Sequence, residues 1–141
     1  MRALLLLLTA CGGPSATNAT CPDPDPYTLT WDTFGRDFMA KYCIGCHNSK
    51  LTTLAERHDA PFYHDYDLLE SVRETRIHID RYTGFGPDAE NTHMPPNRCP
   101  STPGGPLDRD CLVPTPDERR DLATWLACEQ NRPFYRDAGP D

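Results

Sequence analysis

A chain of 141 residues fits one small domain, and its formal charge of -7 at pH 7 excludes a nucleic-acid reader, whose phosphate contacts demand clustered Lys and Arg. The acidic balance suits a basic protein partner instead. Seven cysteines and fifteen prolines in so short a chain imply a loop-rich protein of an oxidising compartment, where disulfides persist.

Met1 to Ala10 carries one positive charge followed by an apolar run too short to span a bilayer, which reads as a targeting segment. The run ends in Leu8-Thr9-Ala10-Cys11, which resembles the lipobox of bacterial lipoproteins. That resemblance implies removal of residues 1–10, lipidation of Cys11, and an extracytoplasmic protein held by lipid on a bacterial membrane. An ordinary signal peptide cut after Ala10 is the alternative. Residues 11–29 then form an anchor and tether, with Gly12 to Pro26 extended, hydrated and outside the core. Cys21 is the exception in that stretch, because a free thiol there would be a liability; it is expected to be bridged to the folded part.

The folded domain is expected over residues 30–131. A helix begins near Thr30 or Asp32, either of which can cap it, and Trp31, Phe34, Phe38 and Tyr42 recur at helical spacing on its inner face. Next comes Cys43-Ile44-Gly45-Cys46-His47. Cys-x-x-Cys-His is the attachment signature of a covalent c-type haem: two thiols at this spacing add to the two vinyl groups, and the adjacent His47 becomes the proximal iron ligand. Half of a zinc site would need a second Cys/His pair at ligand spacing, and a thioredoxin-like pair would need a βαβ pattern; neither is evident. A second copy of the motif is also lacking, so one haem is expected.

Periodicity is weak from His47 to Leu68. Asp67-Leu68-Leu69-Glu70 then reads as a capping box opening a helix to about Ile79. His58, His64 and His78 fall in or near this half and read as surface or hydrogen-bonded imidazoles. Gly84-Phe85-Gly86-Pro87 breaks the chain into a loop that delivers Thr92-His93-Met94-Pro95-Pro96. Met94 and its neighbour His93 are the two candidates for a sixth iron ligand. Cys99 to Pro114 is a Pro/Gly-rich loop that needs a staple. The last helix opens on Thr115 as cap, Pro116 at the first helical position and Glu118 closing a capping box, with Leu122, Trp125 and Leu126 as its apolar face. Residues 132–141 read as a frayed tail. Lipid and haem leave Cys21, Cys99, Cys111 and Cys128, which allow three pairings. Cys99 with Cys111 is expected because they flank one loop, and Cys21 with Cys128 by elimination.

From Thr30 to Glu129 the sequence resembles the class I cytochromes c. The points of resemblance are the haem motif, Gly35 ahead of it on the first helix, Met94 just before Pro-Pro, and the Leu-x-x-aromatic-Leu pattern of the last helix. The resemblance implies an all-α fold with three or more helices around one covalently bound haem, and Trp125 packed on Gly35. It makes Met94 the sixth ligand, Pro61 the carbonyl partner of His47, and Arg57 a propionate partner, for which a solvated surface charge is the alternative. It implies an electron carrier with redox protein partners, on a membrane, and no catalytic residues. A sensor or a subunit that binds a gas or peroxide through a labile sixth ligand is the rival, and a haem-free structural lipoprotein a third possibility.

Overall fold

The structure, a computed structural model, describes residues 16–22, 28–130 and 132. The expected leader, the lipidation position Cys11 and the tail beyond Arg132 lie outside the described residues. Thr30 opens the first helical segment through a reciprocal capping box: its Oγ1 accepts from Thr33 N–H at 3.2 Å and its own N–H donates to Thr33 Oγ1 at 2.9 Å. A π-helical turn, Trp31–Gly35, leads directly into α1, Arg36–Tyr42. Phe38, Met39 and Tyr42 are buried, with Trp31 and Phe34 packed partly against them.

α2 spans Leu69–Thr83. Its start is not capped by Asp67 as the sequence suggests. That carboxylate instead accepts from Ser49 N–H at 2.8 Å and Ser49 Oγ at 2.6 Å, tying the helix entrance to the segment after the haem motif. The helix also runs past Ile79, because its inner face continues through buried Thr83 to the Gly84 terminus. α3, Pro116–Glu129, begins as the sequence predicts: Thr115 and Glu118 cap each other and Pro116 sits in the first turn. Its buried Leu122, Trp125 and Leu126 meet Phe38, Met39, Val72 and Ile79 in one core. At Gly35 α3 approaches the first helical segment closely, since a Cβ there would stand 2.3 Å from Trp125 Cζ2.

The expectation of an all-α class I cytochrome c fold does not hold. Helix occupies 37% of the described residues, too little for an all-α chain. Most of the remainder is turn and loop, and β1 (Cys99–Pro100) and β2 (Leu107–Asp108) pair antiparallel in a small sheet. The physical reason lies in the connections. Prolines and glycines deny them a helical ladder, and side-chain hydrogen bonds and a disulfide hold them instead. Cys99 is bridged to Cys111 at a Cα separation of 5.7 Å, closing the hairpin, and Gly104 turns it at φ 68°. The hairpin lies on the haem motif: Gly104 N–H donates to Gly45 O at 3.0 Å, and a Cβ on Gly45 would meet Pro100 O at 2.7 Å.

Cys21 is bridged to Cys128 at the end of α3, Cα to Cα 4.6 Å. The stretch before it is not the coreless spacer its composition suggests. Thr17 is fully buried, and Asp80 on α2 accepts its N–H at 2.9 Å and its hydroxyl at 2.7 Å. A carboxylate that satisfies both polar groups of one residue makes that burial tolerable.

Candidate functional site

α1 ends at the Cys-x-x-Cys-His motif, Cys43 to His47. Cys43 N–H and Ile44 N–H both donate to Met39 O, and the chain then turns so that Cys46 N–H and His47 N–H donate to Cys43 O at 3.2 and 3.0 Å. Among the described residues Cys43 and Cys46 are the free thiols. Burial pushes the Cys43 thiol up to about 12, against the pull of the Arg119 charge, and burial raises Cys46 against the pull of Arg57. Both are therefore protonated near neutrality, kept as thiols rather than thiolates.

His47 is held neutral. Burial lowers its pKa to about 4, the nearby His64 adds to the effect, and the His64 main-chain carbonyl opposes it. Its ring stacks on Tyr66 at 4.5 Å between centroids, and its Nδ1 is buried with no hydrogen-bond partner. A buried imidazole nitrogen without a partner is costly unless something else orients the ring.

Pro61 does not supply that partner. Its carbonyl already accepts from Arg57 Nη2 at 2.6 Å and from His64 N–H at 3.1 Å, which uses both lone pairs. Nor is Arg57 a surface charge or a free propionate partner. It is 1% exposed, and its guanidinium donates to the carbonyls of Asn48, Leu51, Ala60, Pro61 and His64 and to Asp65 Oδ1. With every donor engaged, Arg57 is the hub that holds residues 48–65 in place of secondary structure. Pro61 lines the haem-motif cavity, and Arg57 does not.

That cavity has a volume of about 460 Å³, within the usual range of roughly 300 to 1,000 Å³ for small-molecule and cofactor sites. Cys43, Cys46 and His47 form one part of its wall; Tyr66 and α2 residues His78, Ile79 and Tyr82 another; Met94, Pro95 and Pro96 a third; and the hairpin, through Cys99, Pro100 and Leu107, a fourth. Of the two sixth-ligand candidates, Met94 lines the cavity and His93 does not; the His93 ring lies edge-on to Tyr82 at 5.8 Å. His58, His64 and His78 also line the cavity; exposed His78 and hydrogen-bonded His58 match their reading as surface or hydrogen-bonded imidazoles, and His64 is buried. His58 Nε2 is engaged with Gly105 O at 2.8 Å, while buried His64 lies 5.8 Å from the His47 ring and 4.8 Å from the His78 ring. Nothing in their sequence spacing marks them, since His58 and His64 sit in the loop without periodicity.

Met94 is positioned by its main chain. Its N–H donates to Tyr82 O at 2.9 Å, and its carbonyl accepts from Arg119 Nη1 at 2.9 Å. Arg119 was not singled out from sequence; it occupies a helix position among charged neighbours and carries no motif. Chemically, the wall offers two thiols, a neutral imidazole and a thioether around a largely apolar space. This donor set fits a planar iron tetrapyrrole attached through two thioethers. No protein-family model, curated protein or solved structure matches this chain. Among the described residues no helix is long and apolar enough to cross a membrane.

Proposed function

We propose that this protein is a lipid-anchored c-type cytochrome, with a fold that departs from the all-α arrangement, carrying single electrons between redox proteins. The observation that carries the reading is that Cys43, Cys46, His47 and Met94, drawn from two distant parts of the chain, line one cavity. Cys43 and Cys46 would hold the haem covalently, and His47 and Met94 would ligate its iron. The bound haem supplies the one-electron iron couple. The protein's own part is to exclude water with the aromatic and proline wall, to keep His47 neutral, and to hold Met94 by its main chain. No side chain performs acid-base or nucleophilic chemistry in this reading. Lipid on Cys11 keeps the domain near membrane-bound partners, and the acidic composition favours basic ones.

A haem-stained denaturing gel tests the attachment: the wild-type protein stains, and variants with Cys43→Ala and Cys46→Ala lose the stain. An unstained wild-type protein overturns the reading. Met94→Ala should remove the far-red methionine-to-iron band and open the ferrous form to carbon monoxide at neutral pH. Persistence of that band would move the sixth ligand away from Met94. Cys11→Ser should release the protein from membranes with its haem spectrum unchanged.

A further inference from the structure

We propose that Arg119 is a buried electrostatic clamp of the redox centre, positioning Met94 and biasing the centre toward its reduced form; this rests on the haem reading above. Three arginines are buried among the described residues: Arg57, Arg73 and Arg119. Arg57 is paired with Asp65 and Arg73 with Glu129. Arg119 has only neutral partners. Its Nη1 hydrogens are shared among the carbonyls of Thr83, Asn91 and Met94 at 2.9, 3.0 and 2.9 Å, and its guanidinium lies 5.7 Å from the Phe85 ring centroid. Carbonyl dipoles and a ring face offset part of the cost of burying a cation, and they leave its charge in place.

The positioning half follows from how little else holds the Met94 loop. Thr92, His93, Met94, Pro96, Asn97 and Arg98 are all exposed, so the loop has almost no core of its own. Tyr82 O fixes the nitrogen side of Met94, and Arg119 fixes the carbonyl side while binding the same loop to the end of α2. The electrostatic half follows from sign. A fixed cation in a low-dielectric interior stabilises added negative charge nearby, and a centre that gains an electron loses one unit of positive charge. Arg119 meets the centre through Met94, its Nη1 standing 2.9 Å from the carbonyl of a proposed iron ligand.

The test uses the intact holoprotein with Arg119→Lys and Arg119→Gln. Lysine keeps the charge and loses the planar fork, so the far-red methionine band should weaken and carbon monoxide binding should rise at least tenfold. Glutamine also loses the charge, and the ferric/ferrous equilibrium should shift at least tenfold toward ferric, about 59 mV for a one-electron couple. Arg120→Gln, an exposed neighbour on the same helix, should change neither. If both Arg119 variants keep the band, stay closed to carbon monoxide and hold the equilibrium within threefold, the proposal is overturned. If the glutamine variant yields no holoprotein, the lysine variant decides through the band and carbon monoxide. A wild-type protein without covalent haem, or one whose spectrum Met94→Ala leaves unchanged, fails the reading beneath it, whereas a haem-bearing protein that loses the band in Met94→Ala but is unmoved by both Arg119 variants overturns this inference alone.

Discussion

Gly35→Ala probes the contact that sets α1 against α3. In an exposed helix the substitution would add about 1 kcal/mol of stability from helix propensity. Here the new Cβ would lie 2.3, 2.5 and 2.9 Å from three atoms of the Trp125 indole, all inside van der Waals contact. The indole has nowhere to retreat. Trp125 is fully buried, Trp31 and Phe34 stand 6.3 and 5.9 Å away between centroids, and its Nε1 donates to Glu129 Oε1 at 3.0 Å. Overpacking of this kind costs about 1 to 3 kcal/mol, and three simultaneous overlaps place it at or above the upper end. Set against the propensity gain, the net loss is about 2 kcal/mol, or roughly 8 to 16 °C in Tm for a domain near 100 residues. Thermal and urea unfolding measure it. Adding Trp125→Phe should recover part of the loss, giving a coupling of at least about 0.5 kcal/mol in a double-mutant cycle. An alanine variant as stable as wild type, or two losses that simply add, would refute the close-approach argument.

The remaining predictions concern the loops and their caps. Arg57→Gln should cost about 3 to 5 kcal/mol in urea unfolding, because it strands Asp65 and a set of buried carbonyls together; a loss under 1 kcal/mol would remove Arg57 as the hub. Replacing Cys99 and Cys111 by serine should cost about 3 kcal/mol in urea unfolding from the lost loop constraint; a loss under about 1 kcal/mol would contradict it. For Glu118, burial would raise the carboxyl pKa, but hydrogen bonds from Tyr42 Oη, Thr115 N–H and Lys41 Nζ outweigh it and hold the value at about 2. A depressed carboxylate stabilises the fold above its unfolded pKa and loses that contribution as pH falls from about 4.5 to about 2. The stability gap between wild type and Glu118→Gln should therefore be full at pH 7 and close across that window; a gap independent of pH would contradict the assignment.

Local chemistry alone was enough for some parts of this protein. The Thr115 to Glu118 capping box and the Pro116 start of α3 depend on neighbours three residues apart, and they form as their sequence implies. The Cys43 to His47 motif is likewise contiguous, so its spacing is legible before any folding. Leu122, Trp125 and Leu126 share one helical face, which is a matter of periodicity. The elements that misled are those whose partners lie far along the chain. Asp67 has the sequence of a cap, yet Ser49 offers it both a backbone and a hydroxyl donor. Arg57 and Pro61 look like cofactor-facing groups, yet each satisfies the other first, because a buried guanidinium must fill all its donors and a carbonyl has only two lone pairs. The same long-range satisfaction explains why the chain is not all-α: the connections obtain their hydrogen bonds from Arg57, Arg119 and the hairpin rather than from helical ladders. Thr17 and Arg119 were invisible for that reason too. Their roles are defined by Asp80 and by the Met94 carbonyl, and only the tertiary structure brings those atoms within 3 Å.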